Sequence, residues 1–358
     1  MDRKAARPSF ASDNVVPAAP EILQALVAAN QGVEDSYGAD RHTRRLTALA
    51  WELFETDLAI FPVATGTAAN ALALATLVPP YGAVYCHEAA HVMTDECGAP
   101  EFYTGGAKLI GLPTPDGKLR PGQLAAPLGH AAAMGVHHVR PAAISVTQAS
   151  EWGTVYRPDE VAALAEVARA HGLRLHMDGA RFANAVAHLS CSPAEASWRA
   201  GVDVLSLGAT KNGAMAAEAV LFFDPALAAG FESRRKRAGH LWSKLRFLSS
   251  QLVAYLEGGL WLRHAAHANA MAARLALGLR RIAGCSLVQP VEANEVFAAL
   301  PTPTVERLEA EGFGFHRWTA PPGVDGTVIR LVTSFAATAA EVDELLLAAA
   351  GEEVAARG

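Results

Sequence analysis

Two short apolar runs, residues 173–177 and 202–207, constrain the fold of this chain more than any other feature. Each is followed at once by a polar motif holding glycine. His176-Met177-Asp178-Gly179-Ala180-Arg181 ends the first, and Ala209-Thr210-Lys211-Asn212-Gly213 follows the second. Runs of this kind read as strands of a parallel sheet buried on both faces, although periodicity alone does not separate them from buried helix. In open α/β sheets, ligands bind at the carboxyl ends of the strands. One strand end therefore presents an acid, Asp178, with Arg181 close behind. The next presents a lone amine, Lys211.

The rest of the chain alternates in the same manner. Residues 1–20 contain Pro8, Pro17 and Pro20 and read as an extended arm. A helix is expected from Pro20 to about Asn30, because proline and an acid, Glu21, suit a first turn. Leu46, Leu49, Ala50, Leu53 and Phe54 form a helical stripe within 43–54. Strands are expected at 59–63, 84–86, 108–110 and 142–147, with helices at 68–77 and 158–171 between them. Residues 220–223 suit an antiparallel strand after the lysine. Such alternation means βαβ units and a mainly parallel sheet. From Leu241 the pattern changes to long helical segments. Short strands at 286–288, 296–300 and 328–332 follow, and a helix closes the chain at 339–350. We expect an arm at 1–20, a large domain at 21–255 and a smaller α+β domain at 256–358. A chain of 358 residues suits two such units.

Bulk properties narrow the function. About half the residues are apolar (51%) and few are charged (18%), as in a globular enzyme. A formal net charge of −6 speaks against a nucleic-acid partner. The basic cluster Arg234-Arg235-Lys236-Arg237 reads as a solvated helix face. Cys86, Cys97, Cys191 and Cys285 match no zinc-binding spacing and are too sparse for a disulfide scaffold, so no metal is expected. Met1-Asp2-Arg3-Lys4 is not followed by an apolar run, and no stretch reaches about 20 apolar residues. A cytoplasmic protein with reduced thiols and no membrane partner is expected.

An acid and a lysine at neighbouring strand ends suit pyridoxal 5'-phosphate. The lysine bonds the cofactor aldehyde, and the acid keeps the pyridine nitrogen protonated so that the ring accepts electrons. Each residue also has a plainer reading. A strand-end acid commonly caps the next turn, and most lysines are exposed. Against this, Lys211 follows Leu205-Ser206-Leu207-Gly208 directly, where solvent is scarce. Thr65-Gly66-Thr67 lies between a strand and a helix. It is either an ordinary N-cap or, beside such a lysine, a phosphate cup. Arg181 is suited to bidentate contact with the cofactor's phenolic oxygen or a substrate carboxylate. His91 sits after a strand, where an imidazole can stack on the cofactor ring; an ordinary loop histidine is an equal reading. Arg330 lies within an apolar strand, and buried arginines need a partner. A substrate carboxylate would supply one.

Taken together, these stretches resemble the L-threonine aldolases of the fold-type-I pyridoxal-phosphate enzymes. The resemblance rests on Phe10-Ala11-Ser12-Asp13-Asn14, Tyr37-Gly38-Ala39-Asp40, Gly66-Thr67-Ala68-Ala69-Asn70, His176-Met177-Asp178-Gly179-Ala180-Arg181 and Thr210-Lys211-Asn212-Gly213. Thr94-Asp95-Glu96-Cys97-Gly98-Ala99-Pro100-Glu101-Phe102 is similar to the bacterial branch holding low-specificity threonine aldolases and phenylserine aldolases.

The resemblance implies a fold-type-I large domain and a small C-terminal domain. It implies cleavage of L-threonine, L-allo-threonine or phenylserine to glycine and an aldehyde. It gives Lys211 as the lysine that carries the cofactor, Asp178 as the partner of the ring nitrogen, and His91 as the residue stacked on the ring that serves as, or positions, the base. Gly66 and Thr67 would bind phosphate, and Ser12, Arg181 and Arg330 the substrate carboxylate. Tyr37 would reach the site of a neighbouring subunit in a homodimer or homotetramer. One departure matters. Where many members carry a histidine near the substrate hydroxyl, this chain has Thr147-Gln148-Ala149-Ser150-Glu151-Trp152. The alternatives are a pyridoxal-phosphate lyase that β-eliminates a different amino acid, and a non-catalytic interaction protein on the same scaffold.

Overall fold

The computed structural model describes residues 7–351. The expectations for 1–6, including Met1-Asp2-Arg3-Lys4, and for 352–358 lie outside the described residues. The main sheet has seven strands: β1 (Ala59–Val63), β2 (Gly82–His87), β3 (Lys108–Leu112), β4 (Arg140–Thr147), β5 (Arg174–Gly179), β6 (Val204–Gly208) and β7 (Glu218–Phe222). Their spatial order is β1-β7-β6-β5-β4-β2-β3. The five strands from β6 to β3 are parallel, and β7 is antiparallel to both its neighbours. The runs at 173–177 and 202–207 thus contribute adjacent strands, β5 and β6, buried although Leu173-Arg174-Leu175-His176-Met177 alternates apolar with polar residues. Pro62 is tolerated because β1 is an edge strand.

Helices cover both faces. Leu46, Leu49, Ala50 and Phe54 of the Arg41–Phe54 helix join the main core beneath the sheet. The Gly66–Leu77 helix packs its alanines and leucines against the opposite face, where Val63, Ala69, Leu72 and Phe222 meet. A second, antiparallel sheet is built from β8 (Ser286–Leu287), β9 (Glu295–Leu300), β10 (His316–Arg317) and β11 (Thr327–Val332), in the order β10-β11-β9-β8. The arm reaches it. The Phe10 N–H donates to the Gly314 carbonyl at 2.6 Å, and the Val332 N–H donates to the Phe10 carbonyl at 2.7 Å. Phe10 itself lies in the core of this second unit.

The Leu260–Leu279 helix ties the two units together. Trp261 and Ala265 pack in the main core, whereas Ala272, Leu275 and Leu279 pack in the second. Just before it, Gly258 and Gly259 take left-handed φ of 65° and 73°. Glycine alone adopts this conformation without strain. We propose this break as the place where the division after residue 255 falls.

Direction matters more than layering for the site. The carboxyl ends of β2, β4, β5 and β6 open on one edge of the sheet. The end of β1 and the start of β7 open on the same edge, because β7 runs the other way. Five loops therefore converge there, since one loop joins the end of β6 to the start of β7, and β9, β11 and the arm close over them.

Candidate active site

Asp178 stands near the end of β5, paired across the sheet with Thr147 of β4 and Ser206 of β6. It is buried, at 3% exposure. Its Oδ1 accepts the Ala180 N–H at 3.0 Å, and its Oδ2 accepts from Asn70 Nδ2 at 2.9 Å. No lysine, arginine or histidine forms an ion pair with it among the described residues. Two positions back on the same face, His176 lies between Ser145 Oγ (2.9 Å) and Ser206 Oγ (3.1 Å). Burial lowers its pKa to about 4, so it is neutral beneath the acid.

Asn70 extends the network. Its Nδ2 also donates to Glu96 Oε1 at 2.8 Å, and Glu96 Oε1 meets His91 Nδ1 at 3.0 Å. The Glu96 side chain is fully buried, and its Oε2 has no partner among the described residues. Two side chains, Asn70 and Glu96, thus link the strand-end acid to the imidazole. The hydrogen bond from Glu96 raises the His91 pKa. Burial opposes it, Asp178 and Glu151 reinforce it, and Lys211 again opposes it. Replacing Glu96 by Gln removes the largest of the raising influences. The His91 pKa is expected to fall in Glu96→Gln, as read by an NMR titration of its imidazole. An unmoved titration would contradict this coupling.

Lys211 sits on the short Thr210–Asn212 turn directly after β6. The turn is clamped on both sides of the lysine. Glu218 accepts the Ala209 N–H at 2.9 Å, while Asn212 Nδ2 donates to Tyr255 Oη at 2.9 Å and the Trp261 carbonyl at 2.8 Å. Burial pushes the Glu218 carboxyl up to about 7 against hydrogen bonds from Thr210 and the Ala209 N–H and against Lys211. Lys211 itself makes no hydrogen bond or ion pair among the described residues, and it lines the same cavity as Asp178. At the cavity's other end, Thr65 Oγ1 caps the Gly66–Leu77 helix by accepting the Ala68 N–H at 3.2 Å. A Cβ built on Gly66 would meet nothing within 4 Å. The first N–H groups of this helix and the Thr67 side chain border open space.

Arg181 is held by two buried carboxylates. Its Nε and Nη2 donate to Asp13 at 2.8 and 3.1 Å, and its Nη1 lies 3.2 Å from Glu295 Oε2. Burial alone would raise the Asp13 pKa, but Arg181, Lys211 and the Asn294 amide together lower it. Glu295 responds oppositely. Burial raises it, and Arg181 and Arg330 only partly compensate. Asp13 takes two hydrogen bonds from the guanidinium, whereas Glu295 Oε2 has none, so the opposite directions agree with the geometry. Arg330, by contrast, has no carboxylate within ion-pair distance among the described residues. Its guanidinium lies 4.9 Å from the Trp318 ring centre and donates weakly to the Ala11 carbonyl at 3.4 Å. Its buried Nε has no partner.

The inner cavity holds about 340 Å³ and opens into an outer chamber of about 1110 Å³. Lys211, Asp178, Arg181, His91, Gly66 and Thr67 all line the inner cavity. Ser12 and Arg330 line the outer chamber. Tyr37 lines neither. It is 49% exposed, with Lys236 Nζ 4.5 Å from its ring centre.

Several site groups carried no role in the sequence reading: Asp13, Asn70, Glu96, Glu151, Glu218 and Glu295. Glu295, an acid opening an apolar strand, gives the same signal that singled out Arg330. Asn70 and Glu96 lie in stretches that carry the family resemblance, but the contact that gives them a role joins residues 26 apart in the chain.

Comparison with known proteins agrees with this geometry. A family profile described as beta-eliminating lyase matches residues 9–302. The chain is 48% identical over 314 residues to the low specificity L-threonine aldolase of Pseudomonas aeruginosa, covering 88% of this chain and 90% of that one. It is 46% identical over 336 residues to the low specificity L-threonine aldolase of another Pseudomonas strain, covering 94% and 95%. The structure of threonine aldolase from Leishmania major superposes with a TM-score of 0.89 at 30% identity, over 96% of this chain and 98% of that one. The two-sheet α/β architecture is accordingly the fold-type-I arrangement. With the strand-end acid and the unpaired lysine on one cavity, and with relatives this similar along nearly its whole length, the chain belongs to the beta-eliminating lyase family of pyridoxal-phosphate enzymes.

Proposed function

We propose that the protein binds pyridoxal 5'-phosphate and cleaves L-threonine, L-allo-threonine and related L-β-hydroxy-α-amino acids such as phenylserine to glycine and an aldehyde. The observation that carries this reading is a pair of unmatched charges on one cavity. Among the described residues, Asp178 is a buried carboxylate without an ion-pair partner, and Lys211 an amine without an anion or hydrogen-bond partner. Asp178 would hold a protonated ring nitrogen of the cofactor, and Lys211 would carry its aldehyde. The open N-terminus of the Gly66–Leu77 helix suits a phosphate dianion. The residues present therefore fit the cofactor.

When bound, pyridoxal phosphate supplies an electron sink at the substrate Cα. The chain supplies the rest. Lys211 carries the cofactor, and Asp178 keeps a proton on the ring nitrogen. Gly66 and Thr67 hold the phosphate. Arg330, the site's unpaired guanidinium, grips the substrate carboxylate with help from Ser12 and from Nη1 of Arg181. Fixing that carboxylate sets which bond at Cα stands ready to break. His91 stacks on the ring face and positions the base. Trp152 and Trp318, which line the outer chamber, offer apolar walls to a β-substituent and support a broad range of side chains.

We also propose a homodimer or homotetramer with shared sites. Tyr37 does not reach the cavity of its own chain, and a second copy would give this exposed tyrosine a site to complete. A cytoplasmic setting suits the free thiols of Cys86, Cys97, Cys191 and Cys285. No helix among the described residues is long and apolar enough to cross a membrane.

Incubation of the cofactor-loaded protein with L-threonine tests the activity. Acetaldehyde and glycine in equal amounts are expected. Release of 2-oxobutyrate and ammonia instead would identify a β-eliminating lyase and replace this reading.

A further inference from the structure

The segment after β4 lacks the histidine that its position would suit, but it is not without chemistry. Glu151 borders both the inner cavity and the outer chamber, a position shared with His91, Arg181 and Lys211. A substrate with its carboxylate at Arg330 and its amine near Lys211 would have its Cα at this junction, within the wall that Glu151 helps to form. The Glu151 carboxyl is oriented by a single hydrogen bond, in which Oε1 accepts the His91 backbone N–H at 3.0 Å. No other hydrogen bond or ion pair engages it among the described residues, so Oε2 has no protein partner.

We infer that Glu151 is the group that meets the substrate β-hydroxyl and takes its proton as the Cα–Cβ bond breaks, an assignment that rests on the aldolase reading. The O–H bond gives its proton to the Glu151 carboxylate, and the freed oxygen pair forms the aldehyde C=O. The electron pair of the Cα–Cβ bond ends as a new C–H bond at Cα, made with a solvent proton. Glu151 then returns its own proton to solvent, and the sum is glycine plus aldehyde.

The electrostatic surroundings agree. The charged groups facing Glu151 are Asp178 on β5, Glu295 on β9, Lys211, His91 and Arg181. Burial first, then Asp178 and Glu295, raise its pKa to about 7, while Lys211 and His91 act against them. A base with that affinity is matched to proton transfer near neutrality. The His91 side chain is less suited, because Nδ1 is committed to Glu96 and its raised pKa keeps it protonated over more of the neutral range.

The test compares wild-type holoenzyme with Glu151→Gln and Glu151→Asp by three readouts. The first is the visible absorbance of the bound cofactor. The second is exchange of the glycine α-proton in deuterated water, which involves Cα but no β-hydroxyl. The third is aldehyde release from L-threonine across pH. In Glu151→Gln, absorbance and glycine exchange are expected to stay within about twofold, while kcat/KM for aldehyde release falls about 10²–10⁴-fold. The acidic limb near pH 7 is expected to disappear with it. Glu151→Asp, which keeps a carboxyl, is expected to recover part of the loss and the limb. Equal losses in exchange and cleavage would make Glu151 a mere support of His91 and overturn the assignment, as would unchanged cleavage. A wild-type protein that takes up no cofactor or releases no aldehyde would overturn the aldolase reading itself, before either variant is measured.

Discussion

Lys211→Ala is expected to abolish the visible absorbance of lysine-bound pyridoxal phosphate and to lower aldehyde release from L-threonine by roughly 10⁴-fold or more, the scale expected when a covalent attachment point is removed. The structure also says what should not change. Lys211 makes no hydrogen bond or ion pair among the described residues. The turn that bears it is held by Glu218, Tyr255 and the Trp261 carbonyl, not by the lysine itself. Unfolding of the cofactor-free variant, followed by tryptophan fluorescence, is therefore expected to shift by about 1 kcal/mol or less. The two measurements separate chemistry from folding. A Lys211→Ala protein that keeps both colour and activity would refute the assignment of the lysine.

The second large effect concerns stability. Arg181→Met is expected to destabilise the protein by about 3–5 kcal/mol near pH 8, because it strands two buried carboxylates. Asp13 is 2% exposed and Glu295 1%. Arg181 is the residue that gives Asp13 two charge-assisted hydrogen bonds. The pH dependence should invert as well. In the wild type, Asp13 has a lowered pKa, so its contribution is present above its unfolded value and is lost as pH falls through the folded one. Without the guanidinium, burial is opposed only by Lys211 and the Asn294 amide at Asp13 and by Arg330 and Lys211 at Glu295, so both carboxyl pKa values move up. Groups raised in this way favour the fold at low pH and lose that contribution as pH rises. The deficit of Arg181→Met should therefore be widest in alkaline urea melts and narrow towards pH 5. A uniform loss below about 1 kcal/mol would show that the triad contributes little.

This triad also bears on recognition. In the sequence, Arg181 follows an expected strand and Arg330 lies within one, and both are expected to hold a substrate carboxylate. In the fold, Arg181 is already neutralised by acids from the arm and from β9, whereas Arg330 rests on Trp318 with an unsatisfied Nε. The division of labour between them depends on which carboxylates fold onto each.

The sequence by itself determined the parallel sheet, the order of its strands along the chain, the helix starting at Pro20 and the pairing of Asp178 with Lys211 at adjacent strand ends. These follow from local causes: apolar runs of strand length, proline and acids in first turns, and glycines where the chain reverses. It was less informative wherever a local signal pointed the wrong way. The Pro121–Met134 helix contains Pro127, a residue that argues against helix, and β10 is only two residues long. Only the tertiary structure decided which polar groups share a cavity. The line from Asp178 through Asn70 and Glu96 to His91 joins three chain segments. Glu151 reaches that line only because β4 lies between β5 and β2. Hydrophobic patterning specifies which face of an element is buried, but not which distant side chain it meets there. Such contacts form when the sheet order is set, and at this site they shift the pKa values of His91, Glu96, Glu151 and Glu218.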